Sequence, residues 1–220
     1  KNMQREREMA DGRKSNYEKM KNDMAAGFLK YDQDKMIRKF GLQHDEDSIW
    51  IRFVGRTYQI RRRTGSVFWI SDGQQEVEAG YNEVMTIYDV LCNSKEDCHL
   101  ARNWVNVGSL SAVKGGSLSK TGHFFSEAGK AFEGKTELLM RACERLGGRK
   151  LSGGDAAYEI ELFPFLPIVL RFWDADEEFS GSLQILTDEN ILDYMHYETL
   201  MFALSHVLER IRKEMEQGGD

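Results

Sequence analysis

Tyr158-Glu159-Ile160-Glu161-Leu162-Phe163-Pro164-Phe165-Leu166-Pro167-Ile168-Val169-Leu170-Arg171-Phe172-Trp173 carries both prolines of the chain, three residues apart between two apolar runs. Proline cannot donate to a β-ladder, so the pair reads as a rigid, extended corner between two strands. Gly153-Gly154-Asp155 comes before the first run, and the acidic box Asp174-Ala175-Asp176-Glu177-Glu178-Phe179 follows the second. Beyond the box, Leu183-Gln184-Ile185-Leu186 reads as a further strand, so strands are expected across 156–187. The closing segment carries Leu200, Leu204, Val207, Leu208 and Ile211 on one helical face.

Working back from this stretch, the pattern changes several times. Tyr17, Met20, Met24, Phe28 and Tyr31 recur at helical spacing as far as Phe40, and Gly41 stands where a helix C-terminal glycine belongs. Three short runs over 49–70, punctuated by Gly55 and Gly65, predict an antiparallel meander whose packed face includes Trp50 and Trp69. Val77 to Cys92 is helical in period, Asn103 to Leu110 reads as a short strand, and His123 to Leu146 as a helix that Gly129 and Gly134 divide. Segregated helices and antiparallel strands predict an α+β fold. No repeat or linker divides the chain, so one domain is expected over 16–216 after a flexible N-terminus at 1–15.

Composition narrows the function classes. The chain has 220 residues, 41% of them hydrophobic, and a net charge of −6. That is enough apolar material for a sizeable core, and the charge argues against a dedicated nucleic-acid binder. Arg61-Arg62-Arg63 reads as a strand end running into the Thr64-Gly65 turn rather than as a phosphate grip. The longest apolar stretch, Leu162 to Leu170, is too short to span a bilayer. Three cysteines without framework spacing fit reduced thiols and a cytoplasmic setting. The chain begins at Lys1 rather than Met, which leaves room for an upstream targeting segment.

The acidic box is the strongest chemical candidate. If the strand continued through it, Asp174, Asp176 and Glu178 would share one face, with Asp155 joining from a neighbouring strand. Such carboxylates suit Mg²⁺ or Ca²⁺. The competing readings are a solvated turn and a set of backbone caps. A ligand cleft at the corner would draw on Asp155, Phe163, Pro164, Trp173, Asp176 and Glu178, with Trp173 either stacking on a planar ligand or serving the core. Cys92, Cys98 and His99, with His123 further along, form an alternative metal set whose spacing does not match a structural zinc hairpin. The segment from Gly115 to Gly122 has glycines, hydroxyls and a lysine, but not the order of a phosphate loop. His196 and His206 are not spaced to share a helical face. No motif names a cofactor, and no Ser-His-acid arrangement names a catalytic residue.

Gly154-Asp155, Phe163-Pro164, Phe172-Trp173, Asp176-Glu177-Glu178-Phe179, Tyr194 and Glu198 together resemble the C-terminal signature of a bacterial and archaeal family, the domain of unknown function 3786 family. Phe53 to Tyr58 and Leu146-Gly147-Gly148 are similar to it more loosely, so the likeness runs from about Tyr17. Some relatives join this domain to a four-cysteine iron–sulfur module, which implies a redox or corrinoid/iron–sulfur partner in one-carbon metabolism. This chain lacks the multi-cysteine run such a cluster needs, so any cluster belongs to the partner. The resulting expectation is an accessory binding domain for a small ligand or such a partner, without catalysis of its own. The alternatives are a carboxylate-centred metal-dependent hydrolase, or a scaffold that docks another protein on its meander.

Overall fold

The computed structural model describes residues 2–110 and 118–218, with side chains from residue 6 apart from 8 and 118–123. Among these residues seven helices and two antiparallel five-stranded sheets make an α+β fold. The chain divides into two compact units, one of residues 1–51 and 57–93, the other of 52–56 and 94–220. No linker marks this division, because it cuts across the first sheet's hairpin rather than between elements.

In the first unit, helix α1 (Asn2–Phe28) extends back through the stretch expected to be a flexible N-terminus. The helix does not continue to Phe40. Asp32 accepts the amide of Lys35 and starts a separate α2 (Gln33–Phe40), which Gly41 ends at φ 63° with its N–H on the Ile37 carbonyl. The first sheet follows in chain order as β1 (Gln43–His44), β2 (Ser48–Phe53), β3 (Arg56–Arg61), β4 (Val67–Ile70) and β5 (Glu76–Glu78). Ile49 and Ile51 are buried. Trp50, between them, therefore turns to the other face and is half-buried there, against expectation. Trp69 does share the face of Val67. Helix α3 (Tyr81–Asn93) starts later than its periodicity suggested because Glu76–Glu78 pairs with β4. It packs on α1 through Tyr17 against Tyr81 and Phe28 against Tyr88.

The arginine cluster is consumed locally. Arg61 lies over the Phe68 ring and pairs with Glu76, while Arg62 reaches Gln33, Asp34 and the Asp45 carbonyl. These contacts match the strand-end reading.

The second unit is built on a sheet ordered β6 (Trp104–Asn106), β10 (Ser182–Asp188), β9 (Leu166–Trp173), β8 (Ala156–Phe163), β7 (Arg149–Lys150). A short 3₁₀ turn, Val107–Ser109, follows β6. Helices α4 (Leu118–Phe132) and α5 (Thr136–Arg145) pack on β10 and β8, and α7 (Tyr197–Gln217) packs along α5; a single-turn α6 (Ile191–Tyr194) links β10 to α7. Tyr158, Ile160, Ile168, Leu170, Phe172 and Ile185 alternate onto the helix-covered face and are fully buried. The Phe132 ring meets Phe172 edge-on there, and Tyr158 donates to Glu144 of α5. Gly134 divides the helical stretch, at φ 70°. Gly129 does not; it lies inside α4, where a Cβ would come within 2.5 Å of the Gly181 carbonyl oxygen. Gly115 to Ser117 of the glycine-rich segment lie outside the described residues. No helix among them is long and apolar enough to cross a membrane.

Candidate functional site

The proline corner is a tight hairpin turn. Phe163 pairs with Leu166, leaving Pro164 and Phe165 as a two-residue loop, and Pro167 stands in β9 opposite Glu161. A register irregularity between Glu161 and Phe163 turns the Phe163 ring inward. This geometry separates residues expected to share one cleft. Eight-residue β9 places Trp173 roughly 23 Å from Leu166, at about 3.3 Å per residue. Phe163 and Pro164 therefore belong to one end of the hairpin, and Asp155, Trp173, Asp174, Asp176 and Glu178 to the other.

At the proline end aromatic rings stack in series. His206 lies on Phe53 at 5.0 Å, Phe53 on Phe163 at 5.0 Å, Phe163 on Phe165 at 5.2 Å, and Phe165 on Tyr194 at 6.2 Å. Phe53 belongs to the Arg52–Arg56 segment of this unit, whose turn residues Val54 and Gly55 have φ of 44° and 71°. Positive φ at both suits the right-handed twist of a two-residue hairpin, but a β-branched residue there is strained. The strain is held by two hydrogen bonds. The Val54 N–H donates to the Leu162 carbonyl at 2.9 Å, and Arg210 of α7 donates to the Val54 carbonyl at 2.8 Å. Burial, then the charges of Arg210, Arg56 and Lys213, push the His206 imidazole down to about 3, so it stacks as a neutral ring. Its Nε2 is buried without a hydrogen-bond partner among the described residues.

The acidic end works differently. The strand stops at Trp173, so the box does not alternate and its carboxylates do not share a face. The three aspartates are committed to backbone or hydroxyl donors. Asp155 accepts the Asp174 amide at 2.7 Å, and Asp174 accepts the Gly134 and Ala175 amides and the Thr136 hydroxyl, all at 2.8 Å. Asp176 accepts the amides of Glu178 and Phe179 at 2.9 and 2.7 Å, while its own N–H donates to the Phe179 carbonyl. These donors hold Asp174 and Asp176 below the usual carboxylate range, Asp174 mainly through Gly134 and Thr136, Asp176 through Glu178 and Phe179. Glu178 contributes its amide, not its carboxylate. Trp173 is 39% exposed rather than a core residue.

Cys92 closes α3 in the first unit, half-buried, its thiol pushed up to about 12 by burial and then by Asp89. Cys98 and His99 lie in the second unit, on a loop that Asp188 ties down by accepting the amides of Ala101 and Arg102. The side chain of His123 lies outside those described. Among the described residues no three His, Cys, Asp or Glu are placed to hold a metal ion. For the acidic box the physical reason is that the Asp174 and Asp176 oxygens already serve backbone donors. Sequence reading weighed His206 only as a partner of His196, met Val54 only within a strand-like run, and passed over Arg210. His206 and Arg210 sit a helical turn apart on α7, and a polar pair on an otherwise apolar helix face was the available signal.

No curated protein and no solved structure matches the chain. A family model described as Domain of unknown function (DUF3786) matches residues 32–210, which takes in the hairpin, both its ends and α7 as far as Arg210. The chain belongs to this family.

Proposed function

We propose that the protein is a non-catalytic accessory domain that docks another protein through the acidic loop 174–179. One observation carries the reading: Phe179 is 69% exposed in a loop whose backbone Asp176 already fixes. A rigid, exposed aromatic ring binds at low conformational cost and makes an efficient anchor. Beside it, the Glu177 and Glu178 carboxylates have no cationic partner among the described residues. The complementary surface is an apolar pocket rimmed by Lys or Arg. The family resemblance extends this to a redox or corrinoid/iron–sulfur protein of bacterial one-carbon metabolism. The free thiols support a cytoplasmic setting.

The test is a photo-crosslinking residue at position 179 in the intact chain, with the captured protein then purified and titrated. Phe179→Ala is expected to weaken that complex about tenfold or more, and Glu177→Lys with Glu178→Lys to reduce its salt dependence. Binding unchanged by both variants would overturn the reading.

A further inference from the structure

The face of the second sheet opposite the one where α4 meets Phe172 and α5 meets Tyr158 carries a row of three residues across its central strands. Arg171 of β9 is registered opposite Ala157 of β8 and Gln184 of β10. It stands between Leu170 and Phe172, which alternate onto the buried face. An arginine on the middle strand of a sheet normally finds a carboxylate or carbonyl, because its half-buried donors are costly to leave unmade. Arg171 finds neither. Among the described residues its guanidinium makes no hydrogen bond or ion pair, and its Nε is buried without an acceptor. The Gln184 side-chain amide, likewise half-buried, is also without a hydrogen bond there.

The surroundings are those of a ligand seat. Cross-strand neighbours stand about 5 Å apart, so the Arg171 and Gln184 side chains reach a common point. Ala157, on the other flank, is itself buried and adds no polar group beside the guanidinium. Gly153 curls over the arginine closely enough that a Cβ there would lie 3.6 Å from its Nε. Gly154 brings the backbone against the indole edge of Trp173, 3.4 Å from where its Cβ would be. Trp173 shares the face of Arg171, two residues on, and is exposed.

The geometry points to a site for a planar monocarboxylate on this face: its carboxylate accepts from Arg171 and Gln184, and its apolar body lies on Trp173. Guanidinium donors match a planar carboxylate in a bidentate fork. Asp155 and Asp174 at the end of the same hairpin, and Glu159 one strand away, weigh against a dianion such as phosphate. The site is independent of the docking loop, since neither Phe179 nor Glu177 enters it.

Benzoate is the probe, titrated into the isotope-labelled intact chain, with the Trp173 indole signal assigned through Trp173→Phe. A saturable shift of that indole and of the Gln184 side-chain amide is expected, with affinity on the order of millimolar. Arg171→Gln should weaken it about tenfold or more and Arg171→Lys less, since lysine keeps the charge but loses the fork. Amide dispersion reports whether each variant is folded; should Arg171→Gln unfold, Arg171→Lys and Gln184→Leu decide. Phosphate should not displace benzoate, and Phe179→Ala should leave the shift intact. No saturable shift, a shift indifferent to both positions, or displacement by equimolar phosphate would each overturn the assignment.

Discussion

The two ends of the β8–β9 hairpin are a strand's length apart and are held by opposite means. The proline end is a series of stacked rings, and the loss of any one removes buried area that nothing else supplies. The acidic end is a set of carboxylates accepting main-chain amides, and it needs charge and water rather than burial. Their adjacency in sequence suggested one cleft; the hairpin puts them at its two extremities. Residues grouped in a motif share a site only if the element between them is short or folds back.

The contrast can be broken most strongly at the proline end. Phe163→Ala removes a fully buried ring between Phe53 and Phe165, and a loss of about 3–5 kcal/mol is expected in denaturant unfolding. The second largest effect is on acid stability. His206 is held near 3 in the folded chain against an ordinary 6.5, so the unfolded chain takes up the proton first. Its contribution is fully present above 6.5 and is lost as pH falls toward 3, amounting to about 2–3 kcal/mol by about pH 4.5. His206→Phe, which keeps a ring on Phe53, should flatten that part of the stability-versus-pH curve.

At the acidic end the effects shrink. Asp174→Asn loses charged acceptance from Gly134 and Thr136, and about 1 kcal/mol is expected in the same unfolding measurement. Because Asp174 is held below its ordinary 3.8, its contribution persists above that value and disappears only as pH drops beneath it. Acid titration should therefore show the His206 arm first and the aspartate arm second. Glu177→Lys with Glu178→Lys should leave stability within about 0.5 kcal/mol while changing partner binding. A large loss there would mean that the loop's acids hold the fold.

How far the sequence could be read followed the kind of interaction involved. Ile49, Ile51 and Phe53 announced a strand through alternation, and Gly41 and Gly134 announced breaks because left-handed backbone favours glycine. Edge strands such as Gln43–His44 and Arg149–Lys150 are two residues long and carry no period to detect. The break before Gln33 rests on one side-chain cap at Asp32, a signal that the Met and aromatic spacing masked. The acidic box was legible as a cluster, but not its partners, because Asp174 reaches an amide and a hydroxyl some forty positions earlier in the chain. Arg171 was visible as a single charge inside an apolar run, and only the register shows that Gln184 stands beside it.

The Val54 turn has a consequence for how this protein can be taken apart. Residues 52–56 belong to the second unit although both strands they join belong to the first sheet. A gene fragment opening at Ser94 would thus omit a piece of the body it was meant to encode. The Leu162 carbonyl would lose the Val54 N–H, Arg210 would lose the Val54 carbonyl, and Phe163 would lose the Phe53 ring stacked on it. Such a fragment should be insoluble or unfolded on expression, and supplying a peptide spanning 48–61 in trans is the way to recover it.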